Sequence, residues 1–406
     1  MIVIEYKVKA KQHQFLAIDE AIRTTQFIRN KSIRYWMDNE KVNGADLNKN
    51  CTKLAKEFSF VKDLNSMARQ SAAERAWLAI SRFYSNCKKK IPGKKGYPSF
   101  KKNVRSVEYK TCGWKLDKSN KSITFKDGKG IGKVKLIGSR ELNFYSDSEI
   151  KRARIVKRAD GYYVQFCLSI DPRVAVNTSL EATGNAVGID LGLIDFMTDN
   201  QGLKVPTPKF YRQGEKQLNR TNRKKSKKFK KGQKHQSNNY HKARKRYSLK
   251  HLRVSRQRKE WLKRLALRLV KSKDLIVYED LNVKGLVKNP KLAKSISDAG
   301  WSIFRQWLDY FAYKYGKVSL AVAPHYTSQE CSNCGMIVKK ALSERTHVCS
   351  ECKSVLDRDE NAAINILRKG IYQLSTTLGR RECEASGDET SALIGEILLR
   401  ASFVNE

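Results

Sequence analysis

The stretch LDRDENAAINIL occupies residues 356–367, late in a chain of 406 residues. Its apolar residues recur at the spacing of an α-helix: Leu356, Ala363, Ile364 and Leu367. Three carboxylates in four residues therefore lie at the first turn of a predicted helix, where free backbone N–H groups favour negative charge. One interpretation makes Asp357 the N-cap, with Asp359 or Glu360 complementing the helix dipole. Whether these acids have only this structural role depends on the other carboxylates of the chain.

The charge of the chain indicates a polyanionic partner. It has 82 Lys and Arg residues against 40 Asp and Glu, a formal net charge of +42. Nucleic acid is favoured over an anionic membrane, because the sequence has no apolar run near 18 residues and begins without the apolar core of a signal peptide. We expect two or three domains and a location in a prokaryotic cytoplasm or nucleoid, without a membrane partner.

The first half of the chain predicts a β-structure with a helical insertion. Residues 1–9 alternate apolar and charged side chains, as a half-buried strand does, and residues 14–88 have helical periodicity. After a Pro- and Gly-containing stretch at 91–100, strand patterns occupy 101–172, with turn signals at Asp127-Gly128 and Asp160-Gly161. We predict that strand 1–9 joins these strands in one small β-barrel.

The second half predicts a mixed α/β sheet. Residues 186–202 suggest two short strands joined by a tight turn at Gly192. The following strands and helices are predicted at 274–281 (strand), 295–316 (helix) and 317–324 (strand). From about Ile371 the regular pattern is lost, and a loose tail is expected.

A strongly basic run separates the two parts of this predicted sheet. Residues 220–259 contain eighteen Lys or Arg and no Asp or Glu. Such a run is expected to be extended unless a polyanion neutralises it, and a solvated helix face is the alternative. Because a solvated face normally mixes charges of both signs, contact with nucleic acid is favoured. The second half of the run continues into an amphipathic helix.

Four of the nine cysteines have the spacing of a zinc site. Cys331-x-x-Cys334 and Cys349-x-x-Cys352 supply two thiolate pairs that can close tetrahedrally on one Zn²⁺, and four such ligands leave no open position, so the zinc would be structural. The other five are expected to be ordinary reduced thiols: Cys51, Cys87, Cys112, Cys167 and Cys383.

Three separated carboxylates point to divalent-metal chemistry. Asp190 lies within an apolar strand between Gly188 and Gly192, and Glu279 ends another apolar strand, where an unpaired buried charge would be costly. Asp359 begins the helix of residues 356–367 and could approach the same sheet. Converging oxygen ligands suit Mg²⁺ or Mn²⁺, and a pair of such ions can support phosphodiester cleavage. Each residue alone is more often structural, but together, in a basic chain, they favour a metal-dependent nuclease.

The order of these motifs resembles a known family. GIDLG at 188–192, YEDLN at 278–282, the four-cysteine ribbon and DRDENAAINI at 357–366 together resemble the TnpB family of transposon-encoded RNA-guided DNA endonucleases, relatives of the compact type V CRISPR effectors. The similarity is strong over about 180–370. It is weaker towards the amino terminus, where it rests on GYPSFKK at 96–102, while SISDAGW at 295–301 adds to it.

The resemblance implies a multidomain α/β fold. In this family a wedge-type β-barrel carries an inserted helical recognition domain and is followed by an RNase H-like (RuvC) nuclease domain with an inserted zinc ribbon. The corresponding boundaries would be: barrel at 1–12 and 100–175, recognition domain at 13–99, nuclease at 183–325, zinc ribbon at 326–355, last nuclease helix at 356–370 and loosely ordered tail at 371–406.

The resemblance also implies roles for particular residues. Asp190, Glu279 and Asp359 would be catalytic and would hold Mg²⁺ or Mn²⁺, with Asp357 a capping or supporting acid. Gln70 falls where the family has a residue near the target-adjacent duplex. The basic run would contact nucleic acid through the following residues: Arg223, Lys224, Lys225, Lys227, Lys228, Arg244, Lys245, Arg246 and Arg253.

The predicted function is that of an RNA-guided, metal-dependent DNA endonuclease that cleaves target DNA next to a short adjacent motif. Its partners would be a guide RNA and double-stranded target DNA, with a monomer favoured. Base pairing would read the sequence of the guide–target hybrid, so the protein needs mainly phosphate contacts. The alternatives are a conventional RNase H-fold transposase, which the ribbon between the second and third acids disfavours, and a nuclease-dead RNA-guided repressor, which would be expected to lack one of the three acids.

Overall fold

The computed structural model describes residues 2–173, 180–233, 235–341 and 343–381. The chain is multidomain α/β and divides into two compact units, residues 1–172 and 173–406. Cys383 and most of the predicted tail lie outside the described residues. Within the described part, no helix is both long enough and apolar enough to cross a bilayer.

The first unit contains seven strands and four α-helices in its described residues. Its helices are α1 (Gln12–Asp38), α2 (Gly44–Glu57), α3 (Ser59–Lys62) and α4 (Ser66–Lys88). Its strands are β1 (Ile2–Lys9), β2 (Ser106–Tyr109), β3 (Trp114–Asp117), β4 (Ser122–Phe125), β5 (Gly132–Ile137), β6 (Ile150–Arg158) and β7 (Gly161–Leu168). The helical segment predicted between the first strand and the later strands is confirmed.

The strands of the first unit form one antiparallel sheet in the order β2-β6-β7-β1-β5-β4-β3. β1 pairs with β7 on one side and β5 on the other, which confirms the predicted association of strand 1–9 with the later strands. The Asp160-Gly161 turn joins β6 to β7, and the positive φ of 135° at Gly161 is readily adopted by glycine. β2 and β3 are the sheet edges, and the described residues show no pairing between them. The predicted barrel is therefore an open sheet.

A buried carboxylate joins the helical segment to this sheet. Glu108 on β2 is 3% exposed and accepts hydrogen bonds from Ser71 of α4 at 2.9 Å, Arg152 at 2.9 Å and Arg154 at 2.7 Å. Arg75 of α4 lies 3.5 Å away. Burial alone would raise the pKa of Glu108, but the arginines outweigh it and lower that pKa to about 2. The carboxylate is thus a charged link between α4, β2 and β6.

The second unit contains seven further strands and six helices in its described residues. The strands are β8 (Ala186–Asp190), β9 (Asp195–Asp199), β10 (Lys204–Pro206), β11 (Leu275–Glu279), β12 (Val318–Val322), β13 (Thr346–Val348) and β14 (Val355–Asp357). The helices are α5 (Phe210–Ser226), α6 (Asn238–Ser272), α7 (Val283–Leu286), α8 (Ala293–Ala299), α9 (Trp301–Tyr315) and α10 (Arg358–Arg381).

Five of these strands form a mixed sheet in the order β10-β9-β8-β11-β12. β8, β11 and β12 are parallel, whereas β9 and β10 are antiparallel to their neighbours. Alternate residues of β11 point to opposite faces: Ile276 and Tyr278 pack with α6 and α9, and Val277 packs with α10. The predicted mixed α/β sheet is confirmed, and so is the tight turn after β8, where the Gly192 N–H donates to Phe196.

Three local predictions are wrong. The first half of the basic run was expected to be extended, but residues 220–226 lie in α5; the amphipathic helix expected in its second half is confirmed as α6. The helix predicted at 295–316 is two helices, because Gly300 has φ 74° and ends α8 before α9 begins. The tail was expected from Ile371, but α10 continues to Arg381, since Ile371 and Leu374 extend its apolar face over β11 and β12.

We predict that Glu108→Gln lowers the free energy of unfolding by about 3 kcal/mol at pH 7, because it leaves the surrounding arginines without a counter-charge. The folded-state pKa of about 2 lies below the ordinary value of about 4.3, so the contribution is present above the ordinary value and is lost as pH falls towards the folded one. Urea unfolding at several pH values measures it.

The control is Glu141→Gln, whose carboxylate is 61% exposed and pairs with Lys121 at the surface, so the change should have little effect. An equal difference between wild type and Glu108→Gln at pH 7 and pH 3 would contradict the assignment.

Candidate functional site

Asp190 and Glu279 end two adjacent parallel strands. In the β8–β11 register Ile189 lies opposite Tyr278, so the next residue of each strand, Asp190 and Glu279, leaves the sheet at the same edge. Glu279 is 7% exposed, and Asp190 is half-buried. Burial raises the pKa of Asp190 to about 8, with further contributions from the negative charges of Glu279 and Asp359. The three predicted acids therefore lie close enough to interact.

α10 brings the third acid to this edge. The Asp357 carboxylate accepts the backbone N–H of Asp359 at 2.9 Å and that of Glu360 at 3.4 Å, which confirms Asp357 as the N-cap. Lys204 of β10 donates to the same carboxylate at 2.6 Å. Burial would raise the pKa of Asp357, but Lys204 and the backbone donors lower it. The Asp357 carboxylate is thereby occupied at the start of the helix. Asp359 lies 3.6 Å from Arg345, and its negative charge contributes to the raised pKa of Asp190.

Gly188 permits the close approach of α10 to β8. A Cβ atom at residue 188 would lie 2.7 Å from the backbone nitrogen of Leu367 and would also collide with the carbonyl oxygen of Ala363. Any other residue would push the helix away from the strand. The glycine of the GIDLG motif therefore sets the distance between the strand that ends in Asp190 and the helix that begins beside Asp359.

Thr327 is a site residue that the sequence did not indicate. Its buried hydroxyl donates a hydrogen bond to the Glu279 carboxylate. Burial raises the pKa of Glu279, whereas this hydrogen bond and the charge of Lys369 lower it. Thr327 lies in the loop after β12, 48 residues from Glu279, in a stretch without periodicity or motif. No local signal marks it.

The acidic cluster is chemically suited to a divalent cation. Within the described part of the chain, no Lys or Arg forms an ion pair with Asp190 or Glu279, and burial, followed by the negative charges of Glu279 and Asp359, raises the pKa of Asp190. Carboxylate oxygens are the ligands that Mg²⁺ and Mn²⁺ prefer. Among the described residues, one set of metal-ligand side chains has all its ligand atoms within 4.8 Å of one another, and this set does not contain the three acids. The oxygens of the three carboxylates are therefore farther apart than the ligands of one compact tetrahedral site.

That compact set is the four-cysteine ribbon. The Sγ atoms of Cys331, Cys334, Cys349 and Cys352 all lie within 4.8 Å of one another, and none of these cysteines is in a disulfide. β13 and β14 form the antiparallel hairpin beside them. Four thiolates at this spacing fit the tetrahedral coordination of Zn²⁺.

The predicted nucleic-acid residues fall in both units. Gln70 is half-buried on α4 of the first unit, and the basic residues lie on or next to α5 and α6 of the second. Eight of the nine basic side chains are exposed, whereas Lys225 is half-buried and lies 4.4 Å over the ring of Tyr247. The segment of α5 and α6 thus exposes most of the predicted cations, and Gln70 belongs to the other unit.

Two family models match the second unit and the end of the first. The model described as "Probable transposase" matches residues 165–290, and the one described as "Cas12f1-like, TNB domain" matches residues 301–366. The first match contains the Asp190 and Glu279 strands, and the second contains the cysteines and the start of α10.

Curated relatives match most of the chain. A protein of Streptomyces pristinaespiralis named "Putative RNA-guided DNA endonuclease" is 31% identical over 326 residues, which is 79% of this chain and 75% of the relative. The Escherichia coli (strain K12) protein named "Putative RNA-guided DNA endonuclease InsQ" is 27% identical over 335 residues, 78% of each chain. The chain belongs to the TnpB family.

Solved structures share the fold. The protein in the structure titled "Cryo-EM structure of the Cas12f1-sgRNA-target DNA complex" matches with a TM-score of 0.51 at 14% identity, covering 88% of this chain and 83% of that chain. At this identity the likeness concerns the backbone arrangement alone.

Gly188→Ala should displace α10, because the new methyl group meets backbone atoms that cannot move independently of the helix. We expect a loss of about 2 kcal/mol of stability, as for an overpacked core, together with faster amide exchange in residues 358–376. Gly214→Ala in α5 is the control, since its new methyl group would first meet the end of the Val254 side chain at 3.2 Å. Unchanged exchange in α10 would contradict the packing argument.

Cys331→Ser should reduce the zinc bound by the purified protein and lower its unfolding temperature. We expect a shift of at least about 2 °C, the effect of roughly 1 kcal/mol in a domain of this size. Metal analysis and thermal unfolding measure the two effects. Cys112→Ser, which changes an exposed thiol away from the ribbon, should alter neither; a Cys331→Ser protein with normal zinc would show that the ribbon is not the metal site.

Proposed function

We propose that this protein is an RNA-guided, divalent-metal-dependent DNA endonuclease that cleaves target DNA beside a short adjacent motif. The observation that carries the proposal is the register of β8 and β11, which brings Asp190 and Glu279 to one edge of the mixed sheet, where the charge of Asp359 also acts on Asp190. Support also comes from the strand order, in which three antiparallel strands precede two parallel ones as in RNase H-like nucleases. The names of the two curated relatives agree with it.

Three acids would bind the metal, and the neighbouring strands and helix would fix their positions. Asp190, Glu279 and Asp359 are the proposed ligands of Mg²⁺ or Mn²⁺; when bound, such ions activate water and stabilise the leaving oxygen in phosphodiester cleavage. The β8–β11 register aligns the first two carboxylates, and the Asp357 cap orients the start of α10. Asp357 itself is proposed as a supporting residue, because its oxygens already bind Lys204 and the helix N–H groups.

The architecture and remaining sites complete the proposal. The first unit would serve as wedge and recognition domains, and the second as an RuvC-like nuclease interrupted by a structural zinc ribbon. The cations of α5 and α6 would contact phosphates of the guide RNA or of the guide–target hybrid, since pairing of bases reads the target sequence. Gln70 is proposed to contact the target-adjacent duplex.

Asp190→Ala should abolish cleavage of a matched plasmid target and leave binding of the guide RNA intact. The expected loss in rate exceeds the factor of about a hundred seen when a residue behind the metal ligands is removed. The RNA that copurifies with the protein supplies the guide, and cleavage is measured in Mg²⁺.

Asp280→Asn is the matched control, because Asp280 follows Glu279 but has a 64% exposed side chain that pairs with Arg305. Cleavage by Asp190→Ala at the wild-type rate would disprove the assignment of the acids. A wild-type protein that binds RNA and target without cutting would instead identify a repressor.

A further inference from the structure

The loop of residues 325–332 links β12 to the first cysteine pair of the ribbon, and α10 holds its backbone. Lys369 Nζ donates to the carbonyl of His325 at 2.6 Å. Asn365 Nδ2 donates to the carbonyl of Thr327 at 2.9 Å and to that of Glu330 at 2.7 Å. The loop is thus bonded along its length to the helix that begins beside Asp359.

A second asparagine extends this contact to the ribbon. Asn361, one turn before Asn365, donates to the Glu330 carbonyl at 2.8 Å and accepts the backbone N–H of Ser332 at 2.9 Å. Both asparagines are buried, and Asn361 is fully so. A buried amide that loses its partners costs free energy, so the loop cannot shift on α10 without penalty. The backbone next to Cys331 is therefore fixed to the helix.

The same loop touches the opposite carboxylate through Thr327. The Thr327 hydroxyl donates to Oε1 of Glu279 while its own carbonyl is held by Asn365. Among the described residues, Thr327 is the one whose side chain hydrogen-bonds the Glu279 carboxylate. A carboxylate has about four acceptor positions, so one donor at Oε1 fixes its orientation and leaves Oε2 available.

We propose that Thr327, held by Asn365, is a positioning residue that aims the Glu279 carboxylate at its metal ion and thereby couples the zinc ribbon to the nuclease site. The inference rests on the proposed function. A chain of direct hydrogen bonds runs from Ser332, beside the first cysteine, through Asn361, Glu330, Asn365 and Thr327 to Glu279. The ribbon then has a role besides its own folding: it anchors the loop that orients a catalytic acid.

The test compares Thr327→Val, Thr327→Ala and Thr327→Ser in the protein–guide RNA complex. Valine removes the hydroxyl and keeps the branched shape of the side chain, whereas alanine removes both. Serine keeps the hydroxyl and loses only the methyl group. We expect the first two to weaken Mn²⁺ binding, measured by electron paramagnetic resonance, and to slow single-turnover cleavage, each by about tenfold or more. Thr327→Ser should restore both, while zinc content and guide-RNA affinity stay at wild-type values in all three.

Asn365→Ala should act in the same direction, with faster amide exchange in residues 325–332 and weaker Mn²⁺ binding. Thr346→Val, an exposed position on β13 of the ribbon, is the control and should match wild type.

Two results would overturn the inference and leave the proposed function standing. In the first, Thr327→Val and Thr327→Ala bind Mn²⁺ and cleave normally while Glu279→Gln loses both properties. In the second, Thr327→Ala loses zinc together with cleavage, which would make Thr327 a structural residue of the ribbon. Normal cleavage by Glu279→Gln would instead overturn the proposed function, and the inference with it.

Discussion

The second unit has to hold three acidic side chains close together in surroundings that are partly shielded from water, which costs free energy. Asp190 and Glu279 leave adjacent parallel strands at the same edge, and Asp359 approaches them from α10. Burial and mutual repulsion both oppose this arrangement, so rigid surroundings have to maintain it. The strand register, the absent side chain at Gly188 and the capped start of α10 each remove one way for the acids to move apart. What these features preserve is a concentration of negative charge that a divalent cation would neutralise.

The buried carboxylate of the first unit, Glu108, has the opposite electrostatic surroundings. Glu108 is surrounded by arginines, and its pKa falls to about 2, whereas the pKa of Asp190 rises to about 8. A chain with a formal net charge of +42 has many cations available, yet within the described residues none forms an ion pair with Asp190. Arg358, whose charge lowers the pKa of that carboxyl, directs its guanidinium to the carbonyls of Ala341 and Glu344. Glu108 therefore links elements of the first unit through ion pairs, whereas the Asp190 carboxyl, with its raised pKa, has no ion-pair partner among the described residues.

The features that were predictable from the sequence are those encoded by local spacing. The cysteine pairs, the strand before Asp190 and the cap at Asp357 each need only a few consecutive residues to be recognised. The full length of α10 was also encoded, since Ile371 and Leu374 continue its apolar stripe, but the following residues obscured the pattern. Thr327 and the two asparagines could not be identified, because their roles arise from contacts across 29 to 48 residues. The Glu108 cluster, which brings together side chains from α4, β2 and β6, is of the same kind.

The order of the elements along the chain has a consequence for biosynthesis. α10 covers the face of β8 that Gly188 leaves bare, yet it is made about 170 residues after that strand. At a usual translation speed of roughly 5–20 residues per second, the emerging sheet waits many seconds for its covering helix. Throughout that interval the third acid does not yet exist, so a nascent or prematurely terminated polypeptide cannot assemble the complete cluster. Whatever chemistry the cluster performs is thereby withheld until α10 has been synthesised.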